Sequence, residues 1–149
     1  MNYFIYSFKA LILFFFLISS VAAKESKYFN DGKKLFLEKD FEKSKFYFEK
    51  DIVFNPKNEK SYLYLAKIFN QDKNELNEEF NLNSVLALNP KNDEALYMLI
   101  ILKIRQYDYD QAKKLIKQFN LVCKSFCPKK TEIEEKLIKL TPDNAKSKN

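Results

Sequence analysis

The sequence predicts an all-α fold, a helix-turn-helix repeat solenoid of about three units followed by a C-terminal capping helix. The tetrapeptide Asn-Pro-Lys-Asn occurs at 55–58 and again at 89–92, which gives a spacing of 34 residues. Periods of roughly 20 to 50 residues are typical of repeat architectures. Apolar residues recur within each period at helical rather than alternating spacing. The chain contains one glycine, which disfavours turn-rich β folds.

Residues 1–23 are predicted to be a signal peptide and not part of the fold. An apolar run at 10–18 is followed by small residues that end at Ala23, a pattern typical of a secretory signal cleaved after Ala23. The alternative is an uncleaved membrane anchor through residues 3–23, because about 20 apolar residues span a bilayer. Both interpretations place the rest of the chain outside the cytoplasm, so we expect an exported protein, periplasmic or secreted.

Three units follow the signal when the chain is aligned with itself at a shift of 34 residues. Their bounds are 25–58, 59–92 and 93–126. Each unit is predicted to contain two helices with a short polar break between them. The breaks are at 38–40, 70–74 and 106–108. The Asn-Pro pairs end the second helices, because a residue before proline is displaced from the helical region of backbone conformation.

Two further segments follow the third unit. Segment 129–141 has apolar residues on one face and is predicted to be a capping helix, which a repeat array needs at its end. The polar segment 142–149 is predicted to be a disordered tail.

The units resemble the tetratricopeptide repeat (TPR) family, whose pattern places aromatic, small and apolar residues at fixed positions. In the first unit the matching residues are Tyr28, Gly32, Leu35, Ser44, Phe48 and Pro56. In the second they are Tyr62, Leu65, Ala66, Phe69, Leu82 and Pro90, and in the third Leu99, Tyr109, Ala112 and Ile116. Glu78 and Ile100 depart from the pattern. The resemblance implies a right-handed superhelix whose first helices line a concave surface that binds peptides or partner helices.

That concave surface is the candidate binding site. Aligning the first helices predicts an apolar stripe beside a basic one, which would suit a peptide with apolar anchors and acidic side chains. The predicted groove residues are Phe29, Lys33, Phe36, Leu63, Lys67, Tyr97, Ile101 and Arg105. The alternative is that some of them are ordinary packing or solvated surface residues.

Cys123 and Cys127 lie where the second helix of the third unit should end. In an exported protein two cysteines four residues apart favour a structural disulfide. Free thiols and a redox or metal site are the alternatives.

Composition restricts the chemistry that this chain can perform. It contains no histidine, so it lacks the usual general base and the commonest metal ligand. The net charge of +6 comes from lysines interspersed with acidic residues, which together with export disfavours nucleic-acid binding. No cofactor, metal or small-molecule substrate is expected.

The sequence therefore predicts a non-catalytic adaptor or scaffold in the periplasm or cell envelope, with a protein or peptide as its partner. A membrane would be involved only if the N-terminal segment is uncleaved. The alternative function is a thiol-redox or assembly helper that uses Cys123 and Cys127.

Overall fold

The structure, a computed structural model, describes residues 25–140. The predicted signal peptide and the tail lie outside the described residues. Within 25–140 the chain forms seven α-helices and no strand, which confirms the all-α repeat fold. The helices are α1 (Lys27–Leu37), α2 (Phe41–Phe54), α3 (Glu59–Gln71), α4 (Glu75–Leu88), α5 (Asp93–Arg105), α6 (Tyr109–Val122) and α7 (Lys130–Leu140). A 3₁₀ turn at Cys127–Lys129 precedes α7.

The helices pack as three pairs, α1 with α2, α3 with α4 and α5 with α6. Successive pairs are joined by packing of α2 on α3 and of α4 on α5. Helix α7 packs on α5 and α6, so it takes the place that the first helix of a fourth repeat would occupy. It therefore covers the end of the array, as a capping element must.

The turn inside each pair is the same main-chain structure repeated three times. Each contains one residue in the left-handed region, with φ values of 63° at Lys39, 56° at Lys73 and 62° at Tyr107. The next residue donates its N–H to a carbonyl five positions back, as in the Schellman motif. These bonds join Asp40 to Leu35, Asn74 to Phe69 and Asp108 to Lys103, at 2.9 to 3.0 Å.

The same residues Asp40, Asn74 and Asp108 begin the second helices. Each side chain accepts a hydrogen bond from the backbone N–H three residues later, which satisfies a donor at the start of the helix. Helix α3 continues through Gln71, so the second polar break spans 72–74 and not 70–74 as the sequence suggested. Asn70 therefore belongs to the last turn of a helix, where its side chain faces α4.

Two hydrophobic clusters form the core. The smaller cluster, in the first repeat and α3, contains Phe29, Phe48, Leu65 and Ile68. The larger extends from α3 through α6 to Ile133 of α7. Gly32 lies where α1 crosses α2, and a Cβ there would stand 2.9 Å from Cε1 of Phe48. Ser44 donates its hydroxyl hydrogen to the Gly32 carbonyl at 2.9 Å, so the glycine and the small serine allow this close approach.

A buried carboxylate joins the first two repeats. Asp51 of α2 is fully buried and occupies the repeat position that Val85 and Phe119 hold in the later units. Its oxygens accept hydrogen bonds from four side chains and so connect the start of α1, the turn after α2 and the start of α3. The donors are Ser26, Asn55, Asn58 and Ser61.

Candidate functional site: the first-helix face

Helices α1, α3 and α5 lie side by side and present their outward faces to the same side of the molecule. Rings of α1 contact rings of α3, since Phe36 and Tyr64 have centroids 5.0 Å apart. Helix α3 reaches α5 through an ion pair between Lys67 and Glu94 at 2.8 Å. We call the outward surface of these helices the first-helix face. Its residues are Lys33, Phe36, Tyr64, Lys67, Glu94 and Ile101.

Two predicted groove residues belong to the core instead of this face. Phe29 is 1% exposed and packs its ring 5.8 Å from those of Phe48 and Tyr64. Leu63 is 9% exposed and joins the larger cluster. The ring of Tyr64, from the first helix of the next repeat, packs against Phe29, and Leu63 packs within the larger cluster. Neither side chain is available as an anchor for a partner.

Tyr64 is the aromatic residue that the sequence reasoning missed. It is half-buried, stacks on Phe48 at a centroid distance of 4.9 Å, and meets Phe36 edge-on. Burial is the largest cause of its raised pKa, with Glu94 and Glu25 adding to it. The signal in the sequence was its spacing of three from Lys67, which places both on one side of α3.

The basic stripe is partly neutralised. Lys67 pairs with Glu94, and its Nζ lies 5.0 Å from the centre of the Tyr64 ring. Ile101 occupies the same register in α5 and is half-buried against the core. Lys33 is exposed, and within residues 25–140 it has no ion-pair partner. The positive charge of the face is therefore concentrated on α1.

Tyr97 lies under the C-terminal cap. Its hydroxyl donates to Glu132 Oε1 at 3.2 Å, and its ring centroid is 5.5 Å from that of Phe126. Burial is the largest cause of its raised pKa, followed by the charge of Glu132. Tyr97 therefore binds α7 of its own chain, and the face that remains open is formed by α1, α3 and the middle of α5.

Arg105, the predicted groove arginine, stabilises the contact between α4 and α5. Its Nε lies 2.8 Å from Glu75, and its Nη2 lies 2.6 Å from Glu78. Although desolvation lowers the pKa of Arg105, hydrogen bonds and charge from Glu75 and Glu78 raise it above its ordinary value. The side chain of Glu78 is 1% exposed and also accepts a bond from Asn70 at 2.8 Å. Arg105 is thus the partner of a buried carboxylate.

Cys123 and Cys127 lie at disulfide distance, with their sulfurs 2.08 Å apart. The loop between them is also held by Asp93, which accepts the backbone N–H groups of Lys124 at 2.7 Å and Phe126 at 2.9 Å. Burial raises the pKa of Asp93, but these N–H donors outweigh it, so the pKa lies below its ordinary value. The pair connects the end of α6 to the turn that begins α7.

Within residues 25–140, no group of three or more carboxylates and cysteines is placed to hold a metal ion. None of the helices between these bounds has the length and apolar character that crossing a membrane requires.

No protein-family model and no curated protein matches the sequence. Among solved structures, a chain of the structure described as "CopN-Scc3 complex" is similar, with a TM-score of 0.62 and 17% sequence identity. The similarity covers 83% of this chain and 79% of that chain. At this identity the likeness concerns the fold, which is an all-α helical repeat compatible with a TPR-like protein.

Proposed function

We propose that this protein is a non-catalytic interaction module that acts after export, in the periplasm or cell envelope. A peptide or helix of a partner protein binds on the first-helix face. The observation that carries the proposal is the half-buried apolar surface of this face, where the rings of Phe36 and Tyr64 lie 5.0 Å apart and Ile101 is half-buried at the register position of Lys67. Partly exposed apolar side chains of this kind can still bury area against a partner.

The charges of the face indicate the chemistry of the partner. Lys33 is exposed at the edge of the aromatic cluster, while Lys67 and Glu94 already neutralise each other. A peptide with apolar anchors spaced for a helix and a carboxylate near α1 would complement this arrangement. The similar fold in the "CopN-Scc3 complex" belongs to an assembly of proteins, which is consistent with an interaction role.

Site-directed photo-crosslinking tests the proposal. In two test variants a benzophenone amino acid replaces Lys33 or Ile101 on the first-helix face. In two control variants it replaces Lys114 on the exposed surface of α6 or Phe46 on that of α2. We expect one partner polypeptide to be crosslinked from the first two positions only. The same adducts from all four positions, or none from the first two, would contradict binding on this face.

A binding measurement with the purified partner then tests the charge. Lys33→Glu should weaken binding roughly three- to tenfold, since a reversed charge changes the interaction by about 1 kcal/mol. The matched control Lys114→Glu carries the same charge change on α6 and should bind like wild type. Export is checked separately by mass spectrometry, which should find Lys24 as the first residue of the mature chain.

The alternative function, a thiol-redox or assembly helper, has the Cys123–Cys127 pair in its favour. Asp93 holds the loop between the cysteines by two backbone bonds, which suits a structural role better. Titration of the thiols after reduction separates the two functions. Thiols with a pKa well below the usual 8.5 or so would support the helper, and ordinary thiols would support the structural disulfide.

A further inference from the structure

One edge of the molecule gathers the turns that join successive repeats. Because paired helices are antiparallel, the starts of α1, α3, α5 and α7 lie there together with the ends of α2, α4 and α6. Hydrogen bonds connect the turn 89–92 to neighbouring helices on this edge, from Asn89 to Glu59 of α3 at 3.0 Å and from Gln118 of α6 to the Pro90 carbonyl at 3.1 Å. We call it the lysine edge. It consists of residues 25–26, 53–58, 87–92 and 121–126.

Apolar side chains are exposed on the lysine edge at the ends of the second helices, and the Phe54 ring stacks there on that of Tyr28 at a centroid distance of 5.4 Å. Val53 is 74% exposed, Phe54 63% and Leu121 86%, and Leu88 is exposed as well. The spacing of 34 residues places Val53, Ala87 and Leu121 in one row along the edge. Several large apolar side chains exposed on one edge indicate a surface that meets another apolar phase.

The charge beside this row is positive. Lys57, Lys91 and Lys124 are exposed in the turns, and within the described residues none of them has an ion-pair partner. No acidic residue occurs in 53–58, 87–92 or 121–126. Carboxylates beside these turns have donors within the fold. Glu25 pairs with Lys60, Glu59 with Asn89, and Asp93 with the loop N–H groups.

The opposite edge, formed by the turns inside each pair, differs in charge. Its turns at 38–40, 72–74 and 106–108 contain four acidic residues and two lysines. The molecule is thus electrically polarised from edge to edge. An anionic surface would attract the lysine edge and repel the other one.

The first described residues of the chain lie on the lysine edge. Glu25 and Ser26 lie on the lysine edge, where Ser26 bonds to Asp51 and Glu25 to Lys60. The apolar segment predicted at 1–23 is joined to the fold at this point. An N-terminal anchor, or a signal still held by the export machinery, would therefore bring this edge to the bilayer.

We propose that the lysine edge docks on the surface of a bilayer that contains anionic headgroups. Phe54 and Leu121 insert at the level of the headgroups, and Lys57, Lys91 and Lys124 bind lipid phosphates. Apolar side chains and lysines act together in this way in interfacial binding. The surface is separate from the first-helix face, so a docked molecule keeps that face open to a partner.

Tryptophan substitution tests the depth of insertion, because the chain has no tryptophan of its own. Phe54→Trp and Leu121→Trp report on the lysine edge. Leu37→Trp, at a position 72% exposed on the opposite edge, is the control. The variants are made in the chain from Lys24 onward, since both hydrophobic clusters lie within residues 25–140. They are mixed with vesicles of equal phosphatidylglycerol and phosphatidylcholine, with or without brominated acyl chains.

We expect a blue shift and bromine quenching for the two edge tryptophans and neither effect for Leu37→Trp. Quenching of all three, or of none, would overturn the proposal. A blue shift without vesicles, together with elution as a dimer, would also overturn it. That result would make the edge a contact between two copies of the chain.

Charge reversal tests the lysines. Lys57→Glu with Lys91→Glu should reduce co-sedimentation with the anionic vesicles by about 25-fold or more, because each lysine near such a surface contributes about fivefold in affinity. The matched control is Lys39→Glu with Lys73→Glu, which has the same spacing and charge change on the opposite edge. Equal losses of vesicle binding in the two double variants would mean that binding depends only on net charge, which would contradict the proposal. The tryptophan readout decides the question if a reversal variant does not fold.

Discussion

At the scale of the residue, Glu78 and Arg105 show how a departure from the repeat pattern is accommodated. Ser44, Glu78 and Ala112 occupy equivalent positions in the three second helices. Small residues fit there because the helices approach closely, whereas a glutamate brings a charge into the core. Arg105, the single arginine of the chain, supplies the compensating charge from α5. A buried carboxylate requires such a partner, since desolvation of an unpaired charge costs several kcal/mol.

Removing the arginine should therefore destabilise the protein. We expect Arg105→Met to lower the free energy of unfolding by about 2 kcal/mol, which is less than for a fully buried pair because water reaches the guanidinium. Adding Glu78→Ala should restore most of the loss, since the third repeat has alanine there. Urea denaturation measures both variants. The control is Lys43→Ala, which removes an exposed pair with Asp40 and should change little. An Arg105 variant no less stable than this control would contradict the assignment.

At the scale of the element, the capping helix α7 is docked through few contacts, and its first turn is held by charge. Ile133 is its one fully buried residue, while Glu132 bonds to Tyr97 of α5. Hydrogen bonds from Lys129 and then Lys136 lower the pKa of Glu132 from 4.5 to about 2. The folded protein favours the ionised carboxylate. The contribution of Glu132 to stability is therefore complete above pH 4.5 and is lost as the pH falls towards 2.

Acid should therefore loosen the capping helix in a way that depends on Glu132. We expect the Ile133 methyl resonances to shift towards exposed values as the pH falls from 5 to about 2. Glu132→Gln should weaken this dependence, because a glutamine does not titrate. Glu134→Gln, an exposed change on the same helix, is the control and should follow wild type. Asp93 is present in both variants, so its contribution to the pH dependence is the same in each. Identical profiles for the two variants would show that Glu132 is not the responsible group.

The elements were predictable from the sequence to a larger extent than the site. The 34-residue spacing and the Asn-Pro pairs fix the order of the helices, because each is a local property of the chain. Burial on the first-helix face is not local. The register shows which way Phe29 and Leu63 point, but whether another helix covers them depends on tertiary packing. The contact of Tyr97 with α7 is likewise not local, since Glu132 lies 35 residues further along the chain.

At the scale of the whole molecule, two hydrophobic clusters share one array. Residues in a repeat array contact mainly their neighbours, so stability is distributed along the chain and not concentrated in one centre. The smaller cluster holds α1 and α2 to α3, and the larger holds the later helices together. A destabilising substitution in one cluster should therefore affect mainly the helices that this cluster holds together.

Hydrogen exchange on two variants tests this distribution. Gly32→Ala places a Cβ 2.9 Å from the Phe48 ring, an overpacking cost of about 1 to 3 kcal/mol that a gain of about 1 kcal/mol in helix propensity only partly offsets. We expect faster exchange in α1 and α2 and little change in α5 and α6. Ile100→Ala, in the larger cluster, should give the reverse pattern. Uniform acceleration in both variants would show a single cooperative unit instead.

Asp51 and its four side-chain donors require the first repeat to be followed by the second. In the first repeat a carboxylate occupies the position of Val85 and Phe119, and besides the amides of its own turn it accepts hydroxyl hydrogens from Ser26 and Ser61 on either side. The equivalent of Ser61 in the next repeat is Ala95, which offers no side-chain donor. The first and second repeats are therefore not interchangeable parts, although they share the same turn sequence. Placing any unit other than the second after the first would remove the Ser61 donor from the buried carboxylate, so the order of the units is encoded in the interior.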